Sequence, residues 1–247
     1  MSDPAVLGRI RIVLCEPSHP GNIGAAARAI KTMGFDRLTL VKPRQFPHAD
    51  ADARASGAVD LLRTATVAAD LDAALAGTRF ACALSARRRD LTPQPVDVRA
   101  AASEIVQHAQ SADVAIVFGP ERVGLSVADV SRCHRLVRIP TNPDYSSLNL
   151  AAAVQIVAYE VRRACIDDAA VEPQGTEINP ASHEEVERLI VHLEETMIAS
   201  GFLDPARPGR LIQRMRRMFA RATPEAEEVA ILRGFLRAYR ETPRHDP

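Results

Sequence analysis

Short apolar runs of strand length recur along the first part of the chain: IRIVLC (10–15), RLTLV (37–41), RFACALS (79–85), VAIVFG (114–119) and RLVRIP (135–140). They are continuous rather than alternating, the pattern of strands covered on both faces, and helical patterns separate them. One of these is NIGAAARAIKTMGF, whose Gly34 reads as a helix stop. Strands alternating with helices predict an α/β domain built on a parallel sheet.

At 247 residues and 47% hydrophobic content, the chain can bury one sizeable core and a smaller appendage. Its 31 basic and 31 acidic side chains cancel, so attraction for a polyanion must reside in local patches. Cys15, Cys82, Cys133 and Cys165 stand far apart without a C-x-x-C pair, which predicts buried free thiols rather than a zinc site or disulfides. No window reaches the roughly 18 apolar residues of a membrane span, and the N-terminus has no signal-like run. The expectation is a cytoplasmic protein with no metal and no membrane partner.

Residues 167–182, DDAAVEPQGTEINPAS, lose periodicity and gain Pro, Gly and acids, as linkers do. Beyond them Ser182 and Glu185 form a capping box, and Val186, Leu189, Ile190, Leu193 and Met197 keep helical spacing. RLIQRMRRMFARA and EAEEVAILRGFLRAYRE repeat the apolar period. The predicted organisation is a main domain over 1–166, a linker over 167–182 and a small helical domain over 183–247.

Three polar loops each follow a strand. The first, EPSHPGNIGAAARA (16–29), lacks G-x-G-x-x-G, and no Walker pattern occurs anywhere, which disfavours a dinucleotide or P-loop site. Asn22 reads first of all as a helix N-cap. Arg28, within reach of the same helix end, reads as a phosphate ligand, a solvated side chain or an interface residue. In the second, FGPERVGLS (118–126), Gly119 would let a ligand approach the backbone, Glu121 adds charge, and Ser126 caps the next helix. The third, IPTNPDYSSLNL (139–150), opens a helix whose strongly polar positions, up to Val161, are only Gln155 and Glu160. That helix is predicted to be buried nearly all round, in the core or against another subunit. Ser146, Ser147 and Asn149 stand where caps are needed.

Taken in order, N-I-G-A-A-A-R, F-G-P-E-R-V-G-L-S and I-P-T-N-P-D-Y-S-S-L-N-L resemble the three motifs of the SpoU group of SPOUT RNA methyltransferases, and within it the TrmJ subgroup of tRNA 2′-O-methyltransferases. The resemblance covers about residues 8–165. It implies a Rossmann-like parallel sheet with a deep C-terminal trefoil knot, in which the last helix threads a loop and packs on the partner of a homodimer. It implies S-adenosylmethionine held among Leu84, Ser85 and Ala86, then Gly119, Pro120 and Glu121, then Ile139, Ser146, Ser147 and Leu148.

The group's motif residues fall on Asn22, Arg28, Glu121, Ser147 and Asn149, which the resemblance makes the catalytic set. A free guanidinium has a pKa above about 12, so Arg28, from its own or the partner subunit, is expected to position RNA phosphate and ribose more than to abstract a proton. The substrate implied is the ribose 2′-hydroxyl of nucleotide 32, cytidine or uridine, in tRNA. Two basic clusters suit an RNA partner: Arg87, Arg88 and Arg89, and six arginines at 207, 210, 214, 216, 217 and 221 with no acid between them. The second cluster also reads as a solvated face pairing with Glu184, Glu185 or Glu187. Competing readings are ribosomal RNA as substrate, an RNA-binding protein without catalysis, and a nicotinamide-dependent oxidoreductase weakened by the missing glycine fingerprint.

Overall fold

Every one of the five apolar runs becomes a strand in the structure, a computed structural model that describes residues 4–85, 94–168, 179–207 and 209–241. In chain order, α1 (Pro4–Leu7) leads to β1 (Ile10–Cys15), α2 (Pro20–Thr32) and β2 (Arg37–Val41). Then come α3 (Ala49–Ala55), α4 (Val59–Arg63), β3 (Thr66–Ala68), α5 (Leu71–Leu75) and β4 (Phe80–Leu84). After β5 (Val96–Asp97) follow α6 (Val98–Ala109), β6 (Val114–Phe118), α7 (Val127–Ser131), β7 (Arg135–Arg138) and α8 (Leu150–Asp168). The remaining helices are α9 (His183–Ala199), α10 (Leu211–Ala222) and α11 (Ala226–Glu241).

The sheet has seven strands in the order β3-β2-β1-β6-β4-β7-β5, and each neighbouring pair is parallel. Two of them, β3 and β5, went unread in the sequence because edge strands of three and two residues carry no hydrophobic period. The runs at 79–85 and 135–140 also extend past the strands they contain, since their last residues turn into loops.

Both faces of the sheet are covered, which is why its strands are apolar without alternation. Ile12, Leu14, Cys82, Ile116 and Phe118 pack into one core with α2, α6 and α8. Val13, Cys15, Ala83, Ala115 and Val117 form the other with Leu71 and Leu75 of α5 and Val130 of α7. All four cysteines are buried and free. Between α2 and α3 the contact is backbone on backbone: a Cβ on Gly24 would lie 2.0 Å from the Ala51 carbonyl oxygen. Only glycine permits that approach.

Strand β7 is inserted between β4 and β5, which flank it although they are consecutive in the chain. Leu84 and Val96 both register with Val137, on either side of the point where the chain leaves β7. Such an insertion is what a knotted connection requires, against the general rule that chains do not thread loops.

Of the two kinds of burial expected for helix α8, the core accounts for one side; Ala152, Tyr159 and Ile166 are exposed in this chain along the other, Tyr159 and Ile166 at 48% and 47%. The opposite face, with Val154, Val157, Ala158 and Val161, is the one packed on α2 and α6.

The helical unit has its own small core of Leu189, Ile190, Phe219, Val229 and Leu236. The Ser182–Glu185 capping box forms and starts α9. This unit meets the sheet on the α5 and α7 side, and the seam is polar. His183 N–H donates to the Thr78 carbonyl (2.8 Å), Gly77 N–H to Glu184 (2.8 Å), and Asp72 lies 3.0 Å from His183 Nε2 and accepts from Arg132 at 2.9 Å. Those partners hold the Asp72 carboxyl down at about 2, the His183 hydrogen bond first among them.

Candidate active site

The loops after β1, β6 and β7 meet at the carboxyl ends of the strands, where open α/β sheets place their ligands. Helix α2 starts earlier than its residue types suggest. His19 is the N-cap, its Nδ1 accepting from Gly21 N–H at 3.1 Å, and Pro20 takes the first helical position. Asn22 is therefore not the cap, which corrects the sequence reading. It lies within the first turn, and its side chain faces across to the other two loops.

That side chain joins all three. Asn22 Nδ2 donates to Glu121 Oε1 at 2.9 Å, and Asn22 Oδ1 accepts from Asn149 Nδ2 at 3.0 Å. Asn149 turns its own Oδ1 to the N–H groups of Ala151 (2.9 Å) and Ala152 (3.4 Å), so it caps α8 as well. Because Asn149 is fixed by the helix and Glu121 by its strand end, the amide of Asn22 can take only one orientation that satisfies both.

Glu121 is further held from the first loop. Its Oε2 accepts from Ser18 N–H at 3.0 Å and from Ser18 Oγ at 2.9 Å, and Oε1 accepts from His19 N–H at 3.4 Å. Partial burial opposes its charge, but donation from Asn22 and Ser18 outweighs this and keeps the carboxyl below its ordinary pKa. Ser18 and His19 are functional neighbours that residue-by-residue reading passes over. The available signal was S-H-P-G at a helix start, where free N–H groups need acceptors.

Beside this cluster opens a cavity of about 310 Å³ lined by Leu84, Ser85, Gly119, Pro120, Glu121, Ile139, Ser146, Ser147 and Leu148, together with Phe118, Thr141, Leu150 and Ala153. The size sits at the small end of the ~300–1,000 Å³ usual for small-molecule sites. Its walls mix polar and apolar groups about evenly, and the Thr141 hydroxyl among them is buried without a hydrogen-bond partner among the described residues. Loop closure by itself requires glycine at position 119. A Cβ there would stand 2.3 Å from Leu125 N, so the segment Gly119–Pro120–Glu121 is clamped against Gly124 and Leu125. Ser126 caps α7 through a box with Asp129, which finishes the loop.

The other expected residues lie elsewhere. Arg28 is exposed on α2, about 9 Å along the helix axis from Asn22 at ~1.5 Å per residue, and its side chain pairs with nothing among the described residues. It is not at the helix start. Ala86, Arg87, Arg88 and Arg89 lie outside the described residues. On α10 and just before it, Arg207, Arg210, Arg214 and Arg221 are exposed. Arg217 is half-buried, its Nε without a partner among the described residues. Arg216 is committed to an acid, donating to Glu187 through Nε at 3.1 and 3.2 Å and through Nη2 at 2.8 Å.

Residues 9–159 match the SpoU rRNA Methylase family, and residues 184–246 match the C-terminal domain of the tRNA methyltransferase TrmJ. The tRNA (cytidine/uridine-2′-O-)-methyltransferase TrmJ of Pectobacterium atrosepticum is 46% identical over 242 residues, covering 98% of this chain and all of that protein. This chain belongs to the TrmJ branch of the SpoU methylase family. The crystal structure of TrmJ from Zymomonas mobilis ZM4 aligns with a TM-score of 0.82 at 35% identity, covering 94% of this chain and 99% of that one. A more distant SpoU methyltransferase, AviRb of Streptomyces viridochromogenes solved with AdoMet, shares the fold at 21% identity and a TM-score of 0.50, over 63% of this chain and 60% of that one. The TrmJ-branch fold is thus the SPOUT α/β knot with a C-terminal helical part, and the chain is a methyltransferase by family.

Proposed function

We propose that this chain transfers a methyl group from S-adenosylmethionine to the ribose 2′-hydroxyl of nucleotide 32, cytidine or uridine, in tRNA. The observation that carries the reading is the convergence of Asn22, Glu121 and Asn149 on the rim of a cavity whose lining fits the donor. Apolar Leu84, Ile139, Leu148 and Leu150 can enclose an adenine face, and the orphaned Thr141 hydroxyl and loop main chain offer it polar partners. When bound there, S-adenosylmethionine supplies a methyl group on a sulfonium leaving group, so most of what remains for the protein is placement.

The side chains divide that work. Glu121 and Asn149 fix Asn22, which leaves the three loops rigid around the reacting ribose. Ser147, exposed on the cavity wall, is at hand for a ribose oxygen. Arg28 stands too far along α2 to join the cluster of its own chain, and we assign it to the site of a partner. The exposed apolar stripe of α8 is the face for such a homodimer, since α8 packs on α2 and a copy seated there reaches both helices.

Recognition of the tRNA body falls to the helical unit, with Arg210, Arg214 and Arg217 as phosphate ligands, and the sequence adds Arg87, Arg88 and Arg89 to that set. Arg216 is excluded from that set by Glu187. The units proposed from the sequence are 1–166, 167–182 and 183–247, with α8 running two residues past the first of these boundaries.

Incubating the purified chain with tritiated S-adenosylmethionine and unmodified tRNA, then mapping ribose methylation, tests the reading. Label confined to the 2′-oxygen of nucleotide 32 supports it. Label only in ribosomal RNA would transfer the same chemistry to another substrate, and no transfer to any RNA would leave a binding protein.

A further inference from the structure

Glu121 is a carboxylate with no capacity to spare. Ser18 N–H and Oγ–H occupy Oε2 at 3.0 and 2.9 Å, while Asn22 Nδ2 and His19 N–H occupy Oε1 at 2.9 and 3.4 Å. All four donors come from five consecutive residues around the start of α2. A carboxylate so saturated is poorly suited to take a proton from a ribose hydroxyl. Its geometry is that of a strap that ties the β6–α7 loop to the β1–α2 loop.

Within that strap the roles differ. The Ser18 and His19 main-chain contacts would survive any side-chain change, and Asn22 also answers to Asn149. The Ser18 hydroxyl is the one side-chain donor devoted to Glu121 alone. Without it, Oε2 keeps a single neutral donor, and the carboxylate can rotate about its last bond, whose torsion is soft. Rotation of Oε1 would then pull on the Asn22 amide and, through Asn22 Oδ1, on Asn149 at the rim of the cavity.

We infer that Ser18 is a positioning residue for methyl transfer: its hydroxyl sets the Glu121 carboxylate, and through it the orientation of Asn22 and Asn149, without touching substrate or cofactor. The inference rests on the function proposed above and deepens it at the same site. It follows that the hydroxyl, rather than the size of the side chain, is what matters at position 18.

The test is a mutant cycle on the full chain, assayed by methyl transfer to tRNA. Ser18→Ala should lower kcat by about 10- to 100-fold, the scale of a misplacement of about an ångström at a reacting centre. The KM for S-adenosylmethionine should stay within about twofold, because the cavity lining does not include Ser18. Ser18→Thr, which keeps the hydroxyl, should recover most of the loss. In the Glu121→Ala background the Ser18→Ala change should cost nothing more, since the two act as one unit. Full activity of Ser18→Ala would overturn the inference, and so would losses that multiply in the double variant, which would mean that Ser18 meets the RNA directly. If the parent transfers no methyl to any RNA, the proposed function falls, and an NMR titration of the Glu121 carboxyl still decides the contact. Its midpoint should rise in Ser18→Ala, and an unmoved midpoint would refute the strap.

Discussion

The cluster of Asn22, Glu121 and Asn149 and the arginine face of α10 are both polar surfaces, yet they are built on opposite terms. In the cluster every polar atom answers to another within 2.9 to 3.4 Å, and the partners are main-chain groups or side chains fixed by helix starts. At the start of α10 and along it, Arg210 and Arg214 are exposed, and of the neighbouring pair Arg216 has an acid to hold it while Arg217 has none among the described residues. On the proposed function, the difference follows from what each would do. In-line transfer of a methyl group depends steeply on placement, whereas attraction between guanidinium and phosphate is long-ranged and tolerant of side-chain motion. Preorganisation is therefore spent at the first and withheld at the second.

If that contrast is right, the two regions should fail differently. The steepest loss is expected for Asn149→Ala, which removes both the α8 cap and the hold on Asn22. We expect kcat for tRNA methylation to fall by roughly 100-fold, with a stability cost near 1 kcal/mol for the missing cap. A variant within about threefold of the parent would show that the cluster is not the reacting centre.

The arginine face should give way by degrees. Arg210, Arg214 and Arg217 changed together to Ala should weaken tRNA binding severalfold or more and flatten its salt dependence by about three units of slope, one per phosphate contact. Arg216→Ala should leave the slope alone and lower the urea midpoint, because Glu187 would lose its partner while partly buried. Equal salt slopes for the triple variant and the parent would make the cluster a solvated face.

A smaller effect belongs to the seam between the two units. His134, at that seam, is buried and neutral: desolvation, with like charge from His183 and His108, lowers its pKa to about 3. Its folded value is below the ordinary ~6.5, so the unfolded chain binds a proton that the folded one does not. Stability is thus full above pH 6.5 and declines as pH falls from there towards 3. Unfolding by urea should cost about 2 kcal/mol less at pH 5 than at pH 7 from this group. His134→Gln should remove that part of the pH slope, and an unchanged slope would assign it to other groups.

The sequence made the sheet legible because β1, β2, β4, β6 and β7 are buried on both sides and need uninterrupted apolar residues. Local caps were legible for the same kind of reason: Ser126 and Ser182 satisfy N–H groups only a turn away. Pairings across long stretches of chain were legible only as a choice, or not at all. The sequence offered Glu187 as one of three acids that could pair with the α10 arginines, and nothing near Ser18 announces Glu121, because such contacts exist only after the fold has aligned its parts. Asn22 shows the limit most sharply. Its residue type suits a cap, but His19 and Pro20 start the helix first and leave Asn22 to face the knot loop.

The central claim is that the loops after β4, β6 and β7 enclose the methyl donor, and calorimetric titration of S-adenosylmethionine tests it most directly. Leu148 lines the cavity at 37% exposure, so a charge can be placed there without entering the core. The parent chain should bind one equivalent per subunit, and Leu148→Glu should abolish binding while keeping the parent's thermal unfolding transition. Undiminished affinity in that folded variant would contradict the account.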